Sequence, residues 1–171
     1  MSWLKRNWLG CIANNMRICT LCFLIRNNEI LLAMKKRGFG INKWNGVGGK
    51  VQPDETKELA AIREAKEEIG VDIHPDDLVA VGDITFYFNG KSDWNQQVYI
   101  YTTEKWSGEP TESDEMMPQW FENTALPYEN MWIDDPHWIP LMLEGKKLKG
   151  EFYFNQDGGA IEKFEVVEVD K

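Results

Sequence analysis

The sequence has no long apolar run, few cysteines and fewer basic than acidic residues. No stretch of its 171 residues reaches the roughly 18 consecutive apolar residues that a membrane-spanning helix requires. Its 19 Lys and Arg residues are outnumbered by 28 Asp and Glu residues, which gives a formal net charge of −9. Proteins that bind nucleic-acid polymers usually present a basic surface. The composition therefore argues against a membrane protein and against non-specific binding to such a polymer.

The three cysteines, Cys11, Cys19 and Cys22, are too few and too clustered for a disulfide framework. Cys19 and Cys22 have CxxC spacing, but no second pair of ligands follows. They also lie in a predicted strand, where positions three apart point to opposite faces. We interpret them as core or surface thiols rather than as a zinc or redox site. A reducing compartment fits this cysteine usage, so we expect a cytoplasmic protein.

Residues 1–16 differ in composition from the rest of the chain. They contain two tryptophans, and no acidic residue occurs before Glu29. A secretory signal needs a longer apolar centre and a cleavage site, and a transit peptide is richer in Ser and Arg. We interpret the segment as a flexible N-terminal extension, with Met16 as an alternative start. The remaining residues, 17–171, are expected to form a single domain, and 43% hydrophobic residues suffice for a substantial core.

The stretch 49–71, GKVQPDETKELAAIREAKEEIGV, carries the strongest signals. Pro53 and the two acidic residues after it predict a helix that begins near Asp54 or Glu55. Before it, Gly46, Gly48 and Gly49 form a loop where the backbone can approach a ligand closely. Apolar residues at helical spacing predict the buried stripe of this helix: Leu59, Ile62, Ala65 and Ile69.

Glu64, Glu67 and Glu68 are spaced to project from another face of the same helix. Like charges placed in this way repel one another unless a cation neutralises them. Mg²⁺ suits this role, because it binds carboxylate oxygens and keeps waters and phosphates in its shell. The ordinary alternative is an acidic helix face in solvent.

That alternative does not explain the other fixed residues, which resemble the Nudix signature. Reading from Gly49, the stretch has Glu55, then Arg63-Glu64, Glu67-Glu68, and Gly70 followed by an aliphatic residue, all at the spacing of that signature. The resemblance implies an α/β fold, an α/β/α sandwich with a curved mixed sheet between helices.

Strings outside the signature narrow the resemblance to the MutT-type sanitising hydrolases, which act on oxidised purine nucleoside triphosphates. The matching strings are 34–40, 44–52, 112–116 and 131–135, the last shortly before Trp138. Two residues depart from the pattern of this branch. Asp54 stands where Gly is usual, and Ile133 stands where Pro is usual.

The resemblance implies a metal site and a reaction. The expected Mg²⁺ ligands, for which Mn²⁺ can substitute, are the Gly48 carbonyl, Glu64, Glu67, Glu68 and Glu115. Any of the last three could act through a water as the general base, and the sequence leaves that choice open. Arg63 and Glu55 are expected to pair and orient the helix. Attack at the α-β linkage would release a nucleoside monophosphate and pyrophosphate.

A purine site needs aromatic faces and polar groups for the base edge. Trp132 and Phe39 are candidate faces, and Phe86 or Phe88 is a candidate wall, although single aromatics are more often core residues. Asn45 is suited to a base edge, since its amide both donates and accepts. Lys35 and Lys50 are candidates for contacting substrate or phosphate, with an ordinary surface amine as the alternative.

Asp134 and Asp135 are the most distinctive pair outside the helix. Two adjacent carboxyl groups in a Trp-lined pocket would repel, and burial would raise at least one pKa. One could then donate a hydrogen bond while the other accepts, which would allow more than one oxidised purine to be read. The alternative is that one Asp simply caps a helix before Pro136.

The leading hypothesis is a monomeric, Mg²⁺-dependent pyrophosphohydrolase with a small-molecule nucleotide substrate such as 8-oxo-dGTP, 2-hydroxy-dATP or an O6-alkylated dGTP. Two alternatives remain at this point. One is a Nudix hydrolase of another substrate, such as ADP-ribose, a dinucleoside polyphosphate or capped RNA. The other is a nucleotide-binding regulator without catalysis, although a non-catalytic site has no use for three clustered carboxylates.

Overall fold

The computed structural model describes residues 16–170, so the expected extension over 1–16 lies, except for Met16, outside the described residues. The described part contains eight strands and two α-helices. The strands are β1 Arg17–Arg26, β2 Glu29–Lys35, β3 Trp44–Asn45, β4 Val79–Phe88, β5 Gln96–Thr103, β6 Met116–Glu122, β7 Lys147–Phe154 and β8 Ile161–Val169, and the helices are α1 Lys57–Ile69 and α2 Asp135–Leu143. Neither α-helix in this range is long and apolar enough to cross a membrane.

The strands form one mixed sheet in the order β3-β2-β1-β5-β4-β7-β8, with β6 paired to β2. The β1–β5 and β4–β7 pairs are parallel, and the other pairs are antiparallel. Hydrophobic cores lie on both faces of the sheet, one under α1 and one under α2. The predicted α/β/α sandwich with a mixed sheet is therefore confirmed.

The sheet splits between β1 and β2, and this split positions the glycine loop. The two strands share only the pairs Ile25–Ile30 and Arg26–Glu29, next to their turn. The first half of β1 instead pairs with residues 47–51. The Cys22 N–H donates to the Val47 carbonyl at 2.7 Å, and the Thr20 N–H donates to the Gly49 carbonyl at 2.9 Å. The glycine loop is thus held as an extra edge of β1.

The two described cysteines lie on opposite faces of β1, as the strand spacing predicts. Cys22 is buried in the core under α1, and burial raises the pKa of its thiol to about 12. Cys19 is half-buried and packs against the core under α2. Both are free thiols.

Helix α1 begins later than the sequence indicates. The N-cap is Thr56, whose hydroxyl accepts a hydrogen bond from the Leu59 N–H at 3.2 Å, and the first helical residue is Lys57. A start at Asp54 or Glu55 is therefore wrong. Thr is a strong N-cap, and the Glu55 carboxylate is already engaged by Arg63 and by the Gln52 N–H.

The buried stripe of α1 was also predicted incorrectly at one position. Leu59 is 50% exposed, whereas Ala60 and Ala61 are fully buried. Small alanines allow the helix to lie close to the sheet, and Leu59 falls about 120° away from the face that Ala61, Ala65 and Ile69 present. This close approach brings the glutamates of the helix near the glycine loop.

Two strands are longer than their hydrophobic patterns indicate. The sequence pattern predicts strands over 119–122 and 151–155, whereas β6 covers 116–122 and β7 covers 147–154. β6 pairs with β2 along its full length, from Met116 opposite Lys35 to Glu122 opposite Glu29. Pro118 and the polar residues in this segment obscured the strand, since pairing rather than composition fixes its ends.

Substitution of Phe152 tests how much the core under α2 contributes to stability. Phe152 is fully buried and stacks on Phe164 of β8 with ring centroids 5.3 Å apart, whereas Phe164 is 44% exposed. We expect Phe152→Ala to lower the free energy of unfolding by about 3–5 kcal/mol, because it leaves a cavity. Phe164→Ala, the matched control, should cost much less. Urea denaturation measures both, and equal losses would show that the core is not centred on Phe152.

Candidate active site

A cavity of about 170 Å³ opens beside the split in the sheet. It is bounded by β1, β4 and β5, by the loop between β2 and β3, by the glycine loop and by the start of α2. Its walls are aromatic at one end and carry glycine backbone at the other. The cavity therefore joins two chemically different environments.

The four aromatic residues predicted for purine binding line this one cavity. Phe39 and Trp132 stack on each other with centroids 5.1 Å apart and planes at 30°. Phe86 and Phe88 come from β4. Phe39 is 50% exposed, which is unusual for a large apolar side chain and places it at the rim.

Asp134 and Asp135 lie at the aromatic end of the cavity and are almost fully buried, with 4% and 1% exposure. The indole N–H of Trp138 donates to Asp134 at 2.9 Å, and the Trp132 backbone N–H donates to Asp135 at 3.0 Å. Asp134 occupies the N-cap position of α2, yet its side chain makes no capping hydrogen bond. Helix capping alone therefore does not explain this carboxyl group.

The pKa values of both carboxyl groups are raised, chiefly by burial. The neighbouring Asp134 charge raises the pKa of Asp135 further, because two adjacent carboxylates repel. The two groups therefore share protons instead of both ionising freely. Such a pair can present a donor and an acceptor side by side to a bound molecule.

Asn45 and Lys35 supply further polar groups along the cavity wall. The Asn45 side-chain oxygen accepts a hydrogen bond from the Gly46 N–H at 2.8 Å, which fixes the orientation of the amide. Thr20, which also lines the cavity, is buried with a hydroxyl group that has no hydrogen-bond partner among the described residues. Polar atoms of this kind favour a ligand that carries its own donors and acceptors.

At the other end, the glycine loop and α1 approach each other very closely. A Cβ atom on Gly48 would collide with the Thr20 carbonyl, and one on Gly49 would lie 2.5 Å from a carboxylate oxygen of Glu64. The Gly48 N–H donates to Glu68 at 3.0 Å. Glycine is required at Gly48 because the backbone of β1 leaves no room for a side chain, whereas a side chain at Gly49 would displace the Glu64 carboxylate.

Arg63 organises the acidic side chains of α1. Its guanidinium group contacts Glu55 at 2.6 Å, Glu64 at 2.8 Å and Glu67 at 3.2 Å. Contact with three carboxylates raises the pKa of Arg63, and hydrogen bonding to Arg63 lowers the pKa of Glu55. The expected Glu55–Arg63 pair is therefore present, and it fixes the segment that precedes the helix.

Glu68 has a different environment from its neighbours. It is only 5% exposed, and burial raises its pKa to about 7, with the charges of Glu64 and Glu115 acting in the same direction. Glu115 itself pairs with Arg37 at 2.5 Å. Glu68 has only one hydrogen-bond partner in the described structure, the Gly48 N–H. Glu68 therefore lacks a full counter-charge.

The oxygen atoms around the glycine loop are of the kind that bind a divalent cation, although the carboxylates do not converge on one position. Within residues 16–170, no three acidic, His or Cys side chains converge closely enough to form a ready-made metal site. Arg63 and Arg37 hold the carboxylates that a cation would otherwise neutralise. Several hard oxygen donors, one of them buried without a full counter-charge, surround a glycine loop, and this is the chemistry that Mg²⁺-like ions require.

Not every predicted residue lines the cavity. Lys50 is exposed and absent from the cavity wall, so its contact with substrate stays a prediction. The acidic residues predicted to bind metal or orient the helix are also absent from the wall, as is Arg63, so their roles stay predictions: Glu55, Glu64, Glu67, Glu68 and Glu115. Conversely, Lys43, Gln96 and Trp138 line or support the cavity without having been singled out. The i, i+4 spacing of Asp134 and Trp138 on α2 is a signal that could have identified the tryptophan.

The comparisons with known proteins agree with this geometry. The family model described as the NUDIX domain matches residues 16–142. The chain belongs to the Nudix family. Nudix hydrolases generally use a divalent metal ion, in keeping with the oxygen donors around the glycine loop.

Two relatives of this Nudix chain are named oxidized purine nucleoside triphosphate hydrolase. The protein from Danio rerio is 47% identical over 81% of this chain and 86% of its own length. The protein from Mus musculus is 45% identical over 90% of this chain and 96% of its own. Among solved structures, a MutT protein from Bacillus halodurans has a TM-score of 0.75 at 20% identity, covers 88% of this chain and 97% of its own, and shows the same fold.

The burial of Asp135 predicts how the free energy of unfolding depends on pH. Because the folded state holds the Asp135 proton more tightly than the unfolded state does, stability falls as the pH rises through the raised pKa. Asp135→Asn removes this titration. We expect the variant to exceed the wild type by about 1 kcal/mol in free energy of unfolding at pH 8, and by less at pH 5.

Urea denaturation at the two pH values measures this difference. Asp83→Asn is the matched control, since Asp83 is half-exposed and bonded to Gln97 on the other face of the sheet. The control should show no such pH dependence. A difference between Asp135→Asn and wild type that stays constant from pH 5 to pH 8 would contradict the raised pKa.

Proposed function

We propose that this Nudix hydrolase is a Mg²⁺-dependent pyrophosphohydrolase that converts oxidised purine nucleoside triphosphates to monophosphates and pyrophosphate. The observation that carries the proposal is the buried Asp134–Asp135 pair inside an aromatic cavity whose other end opens at the glycine loop. A purine and a polyphosphate chain need these two environments at the two ends of one site. The role would be removal of damaged nucleotides before a polymerase uses them.

The phosphate end is assigned to the glycine loop and the acidic side chains. In the proposal, the Gly48 carbonyl and Glu64, Glu67, Glu68 and Glu115 hold the metal, while Arg63 keeps the helix carboxylates in place. The bound ion would neutralise phosphate charge and lower the pKa of a water. Lys35 lies on the cavity wall, where its amine can meet the phosphate chain.

The base end is assigned to the aromatic residues and the carboxyl pair. Trp132 and Phe39 provide faces for a purine, and the walls of β4 exclude water from it. Asp134 and Asp135 read the edge of the base by sharing a proton. A keto oxygen at the purine edge would receive a hydrogen bond from the protonated carboxyl, and a ring N–H would donate to the ionised one.

The names of similar proteins support the proposed substrate class. Both vertebrate proteins named for oxidised purine nucleoside triphosphates align over most of this chain at 45–47% identity. A more distant relative from Escherichia coli, 29% identical over 58% of this chain and 74% of its own length, is named 8-oxo-dGTP diphosphatase. The proposal further takes the enzyme to be a cytosolic monomer in which Mn²⁺ can replace Mg²⁺.

A substrate panel with pyrophosphate detection tests the proposal. Purified protein is incubated with 8-oxo-dGTP, 2-hydroxy-dATP, O6-methyl-dGTP, the normal triphosphates, ADP-ribose, a dinucleoside polyphosphate and a capped RNA, with and without Mg²⁺. We expect pyrophosphate release from the modified purine triphosphates, at higher kcat/KM than from normal ones. Preferred cleavage of a diphosphate-linked substrate, or tight binding without product, would overturn the proposal.

Two substitutions should separate the ends of the site. Glu68→Gln should lower kcat by orders of magnitude for every nucleotide, because it removes a buried oxygen donor beside the glycine loop. Asp134→Asn should instead reduce the discrimination between 8-oxo-dGTP and dGTP, mainly through KM, because it disturbs the proton-sharing pair. Steady-state kinetics at saturating Mg²⁺ measures both effects.

Glu58→Gln is the matched control on the same helix, since Glu58 bonds the Tyr101 hydroxyl at 3.0 Å and lies outside the cavity wall. It should leave kcat unchanged. If Glu68→Gln retains near-normal turnover, α1 does not carry the metal site. If Asp134→Asn slows all nucleotides by the same factor, the carboxyl pair does not read the base.

A further inference from the structure

We propose that Lys43 is a positioning residue of the purine end, which fastens the Trp132 segment to the loop before β3 and places a positive charge beside the Asp134–Asp135 pair. The inference deepens the proposed function, on which its meaning for specificity rests. Its electrostatic part concerns the free protein and is tested without any substrate.

The first support is the contact geometry of the lysine. Lys43 is half-buried and lines the cavity. Its ammonium group donates a hydrogen bond to the Met131 carbonyl at 3.1 Å and lies 5.2 Å from the centre of the Trp132 ring. One side chain therefore engages both the backbone before Trp132 and the face of its indole ring.

The second support is the construction of the loop that carries the lysine. The Lys43 N–H donates to the Gly40 carbonyl at 3.0 Å, and the Lys43 carbonyl accepts from the Lys35 N–H at 3.1 Å. Gly40 has a φ of +83°, and a Cβ atom there would lie 3.1 Å from the Trp132 ring. The loop thus lies directly against Trp132, with Phe39 stacked on the same ring.

The third support is electrostatic. Burial raises the pKa of both aspartates. The hydrogen bond from Trp138 lowers the pKa of Asp134 and the one from the Trp132 backbone lowers that of Asp135, and the positive charge of Lys43 lowers both further, by a smaller amount. Because the surroundings are largely apolar, a cation is felt there more strongly than at the surface. Lys43 therefore limits how completely burial keeps the pair protonated.

The other groups around the pair do not supply this charge. Trp138 and the Trp132 backbone donate neutral N–H groups. Tyr128, before α2, is a neutral phenol whose pKa is raised by burial and by the Asp135 charge. His137, two residues after Asp135 on α2, packs its ring against Phe164 with centroids 4.4 Å apart. Of the cations in the described structure, Lys43 is the one that acts on both carboxyl groups.

The test uses the indole N–H of Trp138 as a reporter of the Asp134 charge, since the two are hydrogen-bonded at 2.9 Å. Its ¹H–¹⁵N resonance is followed by NMR from pH 4 to pH 9 in the free wild-type protein. The same titration is recorded for Lys43→Met, which keeps the length of the side chain, and for Lys43→Arg, which keeps the charge. Lys43→Gln is a second neutral variant in case the methionine variant does not fold.

We expect the neutral variants to move the titration midpoint upward by roughly half a pH unit or more, because they remove an opposing cation. Lys43→Arg should stay close to wild type. Lys57→Met is the matched control, since its amine lies 3.6 Å from the Tyr99 ring and the helix that carries it covers the other face of the sheet. An unchanged midpoint in the neutral variants would overturn the inference, as would an equal shift in the control.

Kinetics then separates this inference from the proposed function. If both hold, the pH at which KM discriminates between 8-oxo-dGTP and dGTP moves upward in Lys43→Met, while kcat at saturation is preserved. A shifted midpoint in a protein that cleaves none of the modified purines would support the inferred role of Lys43 and contradict the proposed function. An active enzyme whose midpoint does not shift would contradict only the inferred role of Lys43.

Discussion

The pairing of the glycine loop with β1 is the constraint on which the site depends. β1 and β2 separate after two residue pairs, and residues 47–51 take the vacated edge of β1. At Gly48 the β1 backbone leaves no room for a side chain, and a side chain at Gly49 would displace the Glu64 carboxylate of α1. The backbone is thereby brought against Glu64 and Glu68, and the same split opens the cavity on the other face of the sheet.

Opposite electrostatic problems are solved on the α1 side of the glycine loop and at the α2 end of the cavity. At the α1 end, arginines neutralise most of the carboxylates, and the buried Glu68 lacks a full counter-charge. At the α2 end, two carboxyl groups are buried together, and their raised pKa values allow them to share protons. The first arrangement suits a cation and a polyphosphate, and the second suits a neutral heterocycle with donors and acceptors on its edge.

The α1 end could be read from the sequence because its residues are close along the chain and their spacing is helical. Phe39, Trp132 and the two aspartates of the proposed base end are identified by string resemblance, whereas Phe86 and Phe88 are candidates only because they are aromatic. Spacing along the chain cannot group them, since they meet only after the sheet has formed. Lys43 and Thr20 were not found, because a single lysine or threonine has no periodic signal. The predicted start of α1 and the predicted burial of Leu59 are wrong. Thr56 caps the helix, and the small alanines form its buried face instead.

The acidic face of α1 and the carboxyl pair of the cavity lie on separate stretches of chain. Glu64, Glu67, Glu68 and the glycine loop lie within residues 46–70, whereas Trp132 and the carboxyl pair follow residue 130. They meet across the sheet without sharing a helix. Under the proposed function, changes around α2 would redirect which heterocycle is accepted while the residues of α1 stay intact, a modularity that would let a lineage diversify its substrates by altering one short segment.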